Sequence, residues 1–281
     1  MFVLQTHDRL VRAPATAKLN LGLVVGRLRD DGKHELTTVY QRLDLADRVA
    51  VEPAPRTSVR GFADDTLVRR ALDELATAAT ASAGWRAALT KRIPVAAGLG
   101  GGSSDAATAL RLANATLPDP ITCEQLRELA AGLGADVPFF LEQGPQLGEG
   151  SGSTLTPLNL PQNYWVVLLL PNGVEKHSTA AVYAEFDARD GGRGYRNRRA
   201  ALKRALRSVK QQRDLASLPA NDLVSSSLAD EVLGFDAFRA DVSGAGPVVY
   251  GLFQHLETAR LARRALKRLG RTWLTVPAWY G

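Results

Sequence analysis

The chain has 281 residues, 45% of them hydrophobic and 23% charged, with a net charge of +6 at neutral pH. That length buries a sizeable core as one large domain or two fused lobes, and no run of about eighteen apolar residues is present to cross a bilayer. Cys123 is the only cysteine, which excludes an intrachain disulfide and a cysteine-based metal cluster.

The opening stretch MFVLQTHDRLVRAP shows no signal-peptide pattern, so a cytoplasmic location without a membrane partner is expected. Arg12 to Val25 reads as a strand. Lys18 and Asn20 are two apart and share one face, while Leu19 and Leu21 share the other. A polar pair on an alternating strand ordinarily faces solvent. The segment Arg29 to Leu36 is a polar turn in which His34 offers two ring nitrogens to a ligand, and Thr37 to Leu43 is the next strand. Val49 and Val51 with Val59 to Phe62 suggest a short hairpin. Asp65 to Ala81 carries Leu67, Ala71, Leu72, Leu75 and Ala78 on one helical stripe.

Ala87 to Ile93 reads as a strand, and a glycine-rich turn, PVAAGLGGGSSDAATA from Pro94 to Ala109, follows it directly into a helix. Gly98, Gly100, Gly101 and Gly102 permit positive φ angles and leave no Cβ in a ligand's way. Ser103 and Ser104 bring hydroxyls to a helix start whose free N–H groups and positive dipole end suit an anion. The chemistry is that of a phosphate cradle. It is not a Walker loop, because no Lys follows Gly102, and it fails the dinucleotide fingerprint, because Ser103 stands where the third glycine belongs.

Past Pro118 and Pro120, Cys123 to Leu133 makes a short helix ending at Gly134. Asp136 follows between that glycine and the apolar run Val137 to Phe140, where an acid needs a charge, a ligand or a capping role; it is a candidate base. Gly148 to Gly152 reads as a second loose loop, and Tyr164 to Leu170 as a buried strand. Ser178 or Thr179 caps a helix through Tyr183. Ten basic residues then lie between Arg189 and Arg213, a run that is ordinarily a solvated helix face or a mobile insertion. With Tyr195 as its one aromatic it lacks a stacking platform, so no nucleic-acid partner is expected. Asn221-Asp222-Leu223 reads as a helix start. Ser243 to Gly246 are small enough for close backbone approach to the first glycine loop. A strand at Val248 to Phe253, a helix at Leu256 to Leu269 and a strand at Thr272 to Val276 close the chain.

In order and spacing, Ala17-Lys18-Leu19-Asn20, Asp31-Gly32-Lys33-His34-Glu35-Leu36, Pro94 to Asp105, Gly134-Ala135-Asp136-Val137-Pro138-Phe139-Phe140, Thr179 to Tyr183, Asn221-Asp222 and Ser243-Gly244-Ala245-Gly246-Pro247 resemble the diphosphocytidyl-methylerythritol kinases of the GHMP kinase superfamily. The glycine loop is common to the superfamily; the AKLN and GADVPFF blocks are specific to this member. The resemblance implies an α+β, two-lobed GHMP kinase fold, with a ribosomal S5-like N-terminal lobe over 1–158 and a ferredoxin-like C-terminal lobe over 159–281. It implies ATP-dependent phosphorylation of the 2-hydroxyl of 4-diphosphocytidyl-2-C-methyl-D-erythritol, on the non-mevalonate route to isoprenoid precursors.

By that resemblance Pro94, Ala97, Gly98, Leu99, Gly100, Gly101, Gly102, Ser103 and Ser104 wrap the ATP phosphates. Asp136 takes the hydroxyl proton and Lys18 lowers that hydroxyl's pKa. Asn20, Lys33, His34, Thr179 and Tyr183 hold the substrate, a cytidine diphosphate alcohol. Mg2+ is expected to accompany ATP, although no carboxylate pair marks its ligands, and the chain is expected to be a monomer or homodimer. The family usually has Tyr where this chain has Lys33, a loss of about 1–3 kcal/mol of base stacking that a cation over the ring would offset in part. A GHMP kinase for another small alcohol and a nucleotide-binding relative without catalysis are the alternatives; the presence of both Lys18 and Asp136 argues against the latter.

Overall fold

The structure, a computed structural model, describes residues 10–62, 66–174 and 178–278. Strands β1 (Val11–Leu28) and β2 (His34–Ala54) are joined by the polar turn at Gly32, followed by β3 (Ser58–Arg60), α1 (Thr66–Ala78) and β4 (Gly84–Thr90). The glycine loop leads into α2 (Gly101–Asn114), then come α3 (Cys123–Leu133) and a 3-10 turn at Pro138–Leu141. Strands β5 (Gln146–Gly150), β6 (Thr154–Pro157) and β7 (Trp165–Pro171) precede α4 (Thr179–Ala188), α5 (Tyr195–Ser208) and a 3-10 turn at Gln212–Ser217. The remaining elements are α6 (Leu228–Leu233), β8 (Arg239–Val242), β9 (Val249–Phe253), α7 (Leu256–Leu266) and β10 (Gly270–Thr275). Asp65, expected to open α1, lies outside the described residues. Among the described residues no helix is long and apolar enough to cross a membrane.

The chain forms two compact units. The first comprises the chain up to Ala17, Leu45–Val95 and Gly100–Glu142. In it the second half of β2 pairs antiparallel with β4, from Arg48 opposite Thr90 to Ala54 opposite Gly84, and β3 pairs parallel with the other edge of β4. The hairpin expected at Val49 to Phe62 is therefore absent. Alternating valines mark a buried face without saying which strand lies alongside. Helix α1 packs on α2 and α3, burying Val68, Ala71, Leu72 and Leu75.

The second unit comprises Lys18–Asp44, Ala96–Leu99 and the chain from Gln143 onward. Its sheet has the antiparallel order β10-β7-β9-β8. Val167, Leu169, Val249 and Phe253 of the sheet meet Val232 of α6 and Ala259, Ala262 and Leu266 of α7 in one core. The start of β2 pairs with β5, and β5 with β6. Gly148 to Gly152 is thus mostly strand, not a loose loop. Gly148 sits opposite Thr38 and Leu155, and a Cβ there would run into the Tyr40 ring, so this glycine serves packing.

The basic segment is not a wholly solvated face, because most of it is α5, seated on β1. Leu202 is 0% exposed, and a Cβ at Gly22 would come 3.1 Å from its Cδ1. Tyr195 hydrogen-bonds Thr37 across 2.9 Å, and the Arg198 guanidinium donates to Asp222 (2.9 Å) and to the carbonyls of Val25 (3.0 Å) and Gly191 (2.7 Å). Arg199 and Lys203 both reach Glu149 of β5, at 2.6 and 2.8 Å. Arg196, Arg204 and Arg207 point outward.

Leu202→Ala is expected to cost about 2–5 kcal/mol in urea unfolding, as for other buried leucines, while Arg204→Ala should stay within about 0.5 kcal/mol. Partial burial raises the Glu149 pKa, but hydrogen bonds and charge from Lys203 and Arg199 outweigh it and leave the folded value below the ordinary one. Stability from this group is therefore complete above the unfolded value of about 4.3 and lost as pH falls through the lower folded value. Glu149→Gln should be less stable than the parent at neutral pH, and the gap in urea midpoint should close on acidification through that window.

Candidate active site

In the second unit, β1 carries two polar side chains inward. Lys18 is 3% exposed and Asn20 4%, so the alternation that placed them on one face is right and the solvent-edge reading is not. Both faces of the strand are covered here. The Lys18 ammonium donates to Asn20 Oδ1 (2.5 Å), Asn20 Nδ2 donates to Thr38 Oγ1 (2.7 Å), and that hydroxyl donates to the Gly22 carbonyl (2.9 Å). The ammonium also lies 5.8 Å from the Tyr40 ring centre. A buried charge persists only where its protons are used, and this chain of donors fixes its position. Tyr250 adds a hold on the same strand, its hydroxyl donating to the Asn20 carbonyl (3.3 Å). Burial raises its pKa to about 12, so it remains a donor.

The tip of the glycine loop is held by backbone contacts. The Lys18 N–H donates to the Leu99 carbonyl (2.9 Å), Val248 N–H to the Ala97 carbonyl (3.3 Å), and Ser243 Oγ to the Gly98 carbonyl (2.9 Å). Gly98 has φ +78°, and a Cβ on it would collide with the Ser243 carbonyl. The close approach expected of Ser243 to Gly246 is therefore present. A Cβ at Gly244 would lie 3.2 Å from Asn20 Oδ1, 3.3 Å from Lys18 Nζ and 3.5 Å from the Gly98 carbonyl. Asn221 holds this second glycine turn, its Nδ2 donating to Val242 (3.0 Å) and Gly244 (2.6 Å) carbonyls. It opens no helix, since its side chain is used here and α6 starts only at Leu228. Asn-Asp is a frequent capping signal; here the Asn221 Oδ1 accepts the Leu223 N–H (2.9 Å) while its amide nitrogen serves carbonyls remote in sequence.

The proposed substrate residues divide. The His34 ring stacks on Tyr183, centres 4.6 Å apart at 28°, and its Nε2 lies 2.9 Å from Asp187 Oδ1. His34 is buried, not a free loop residue, and Asp187 is a partner that no local motif announced. Ser178 is the cap of α4, accepting from the Ala181 N–H (3.1 Å); Thr179 is exposed on the first turn. Lys33 is exposed in the turn, where its N–H donates to Asp31 (3.1 Å).

In the first unit, α2 starts at Gly101 with Gly100 as a left-handed cap (φ 70°) and no side chain on its first N–H groups. Ser103 and Ser104 thus sit inside the first turn, and Ser104 is buried. The four glycines have separate uses: Gly98 and Gly100 take positive φ, a Cβ on Gly101 would press on Ile93, and Gly102 faces open space. Ala97 and Leu99 bury their side chains, leaving only backbone to a ligand. An uncapped helix start with an open glycine face fits a phosphate group.

Beneath this start, Asp47 and Asp105 each lie 2.5 Å from Lys91 Nζ. Burial lowers the Lys91 pKa, but hydrogen bonds and charge from Asp105 and Asp47 more than restore it, leaving the ammonium above its ordinary value. Asp136 lies half-buried in the turn after α3; the 3-10 turn is capped by Val137, so Asp136 does not serve as its N-cap. Buried Pro138, Phe139 and Phe140 anchor that turn against α2.

The description "GHMP kinases N terminal domain" matches residues 66–144 and "GHMP kinases C terminal" matches 199–272, which defines the class as a GHMP kinase of α+β fold. A 4-diphosphocytidyl-2-C-methyl-D-erythritol kinase of Geobacter metallireducens is 36% identical, over 90% of this chain and 92% of its own length. One of Chlorobium luteolum is 37% identical, over 90% and 91%. A crystal structure of 4-(cytidine 5'-diphospho)-2C-methyl-D-erythritol kinase superposes with TM-score 0.77 at 33% identity, covering 95% of this chain and 99% of that one. A mevalonate kinase at 12% identity and TM-score 0.74 shares the fold. The chain belongs to the 4-diphosphocytidyl-2-C-methyl-D-erythritol kinase family, and GHMP kinases use ATP.

The glycines give a paired expectation for urea unfolding. Gly98→Ala should lose more than about 1–2 kcal/mol, the penalty of a left-handed backbone alone, because the Ser243 carbonyl must also move. Gly102→Ala, helical and in open space, should gain about 0.4–1 kcal/mol.

Proposed function

We propose that the chain transfers the γ-phosphoryl group of ATP to the 2-hydroxyl of 4-diphosphocytidyl-2-C-methyl-D-erythritol, in the non-mevalonate route to isoprenoid precursors. The observation that carries this reading is the buried Lys18 ammonium, fixed 2.5 Å from Asn20 on the strand whose N–H binds the glycine-loop carbonyl of Leu99, in a chain of that family.

Phosphoryl transfer asks a protein for position and charge rather than covalent chemistry. The hydroxyl oxygen bonds to the γ-phosphorus as the bond to the β-phosphate oxygen breaks, ADP leaves, and the hydroxyl proton passes to the Asp136 carboxylate. Lys18 stabilises the developing alkoxide. The loop from Pro94 to Ser104 holds the triphosphate through its backbone N–H groups and the first turn of α2, with Ser103 contributing its hydroxyl. Mg2+ would neutralise phosphate charge when bound; among the described residues no three acidic, His or Cys side chains cluster, and phosphate and water would be its expected ligands. The stacked His34 and Tyr183 rings give the cytosine an aromatic surface in place of the family tyrosine absent at Lys33, with Asn20 and Thr179 as further substrate contacts. On this reading the chain works in the cytoplasm on a small-molecule partner.

ADP release from MgATP and the cytidyl alcohol tests the reading. Asp136→Asn and Lys18→Met should each lower kcat by about 10²–10⁴, the usual worth of a positioned acid or base, in variants that fold as the parent does. A parent that binds ATP yet leaves this alcohol untouched overturns the substrate, and other small alcohols are then the assay.

A further inference from the structure

We propose that Asp47 and Asp105 are positioning residues for the glycine loop, clamping its two ends together through Lys91. Asp47, near the middle of β2, is 0% exposed, and so is Asp105, in the second turn of α2. Asp47 Oδ1 accepts the N–H groups of Arg92 (2.5 Å) and Ile93 (2.8 Å), the last residues before Pro94. Its Oδ2 accepts from Lys91 Nζ at 2.5 Å, and the same ammonium donates to Asp105 Oδ2 at 2.5 Å. The Phe62 ring lies 5.8 Å from that ammonium. Residues 91–93 form the entry of the loop and residue 105 follows its exit, so one buried carboxylate fixes the entry and the lysine ties it to the exit. At Gly101 a Cβ would sit 3.2 Å from Ile93 Cγ2 and 3.5 Å from Asp47 Oδ2; the exit therefore rests directly on the entry.

Stability alone does not explain three charges at this place. Desolvating them is costly, and apolar residues of similar volume usually serve a core as well. What the clamp supplies is direction, since each hydrogen bond sets a distance that a greasy contact would leave slack. A loop that binds phosphate through backbone N–H groups needs that setting, because its donors have no side chains to adjust. Neither carboxylate reaches the surface, so Asp47 acts through the backbone it holds and Asp105 through Lys91. The inference rests on the proposed ATP reading.

The test is MgATP affinity of the full chain by calorimetry, with KM for ATP and for the alcohol. Asp47→Asn and Asp105→Asn keep side-chain shape and remove the charge. Each should weaken ATP binding and raise KM for ATP about tenfold or more, as small misplacements do, while KM for the alcohol stays within about twofold. Leu202→Ala, destabilised where α5 packs on β1 and leaving Asp47, Lys91 and Asp105 in place, should keep parental ATP affinity, and Lys91→Arg should retain part of it. If Asp47→Asn does not fold, Asp105→Asn and Lys91→Arg carry the comparison. Folded variants with parental affinity overturn the clamp alone; a parent chain that binds no ATP overturns the proposed function and the clamp with it.

Discussion

A loop that recognises an anion with its own backbone has to be held by something other than the anion. Glycine gives such a loop its shape and takes away its stiffness, since each glycine has more freedom to lose than any other residue. Here the stiffness is returned by hydrogen bonds to carbonyls of the loop and to amides at its entry. Lys18 and Val248 donate backbone N–H groups to Leu99 and Ala97, and Ser243 donates its hydroxyl to Gly98. Asp47 accepts from Arg92 and Ile93. The oxygens of the tip are thereby occupied while the N–H groups at the start of α2 carry no side-chain cap, which leaves donors, and not acceptors, for a phosphate.

Lys18 joins two duties that are usually separate. Its backbone belongs to the frame that steadies Leu99, and its side chain is the cation that the proposed reaction assigns to the developing alkoxide. Asn20 and Thr38 let that cation stay buried, passing the hydrogen bonding down to the Gly22 carbonyl. Movement of β1 would shift the loop support and the ammonium together. The Tyr250 contact to Asn20, from the C-terminal sheet, and the Asn221 bracket on Gly244, from the segment before α6, bear on the same few residues.

Much of this was legible in the sequence where chemistry and spacing are local. The glycine loop, the shared face of Lys18 and Asn20, a cap at Ser178 or Thr179 and the close approach of Ser243 to Gly246 all follow from short-range rules. Burial was not, because what covers Lys18 and Asn20 includes Gly244, far along the chain, and a polar pair on a strand ordinarily faces water. Asp47, Lys91 and Asp105 are ordinary charged residues at separations no motif records. Asn221 looked like a cap because Asn favours local backbone bonds; its Oδ1 does accept the Leu223 N–H (2.9 Å), but its Nδ2 goes to remote carbonyls and no helix starts before Leu228. In α5 the density of arginine concealed one leucine and one tyrosine facing inward.

That helix has a two-sided character with a consequence for how the protein can change. Its inner side is fitted to glycines on β1: a Cβ at Gly22 would crowd Leu202, and one at Gly26 would come 3.0 Å from the Tyr195 ring. Its outer side, with Arg196, Arg204 and Arg207, meets solvent. Part of the net charge of +6 is therefore carried by residues free to drift, and solubility or colloidal behaviour can be retuned on that outer ridge while the strand beneath, with Lys18 on it, keeps its geometry.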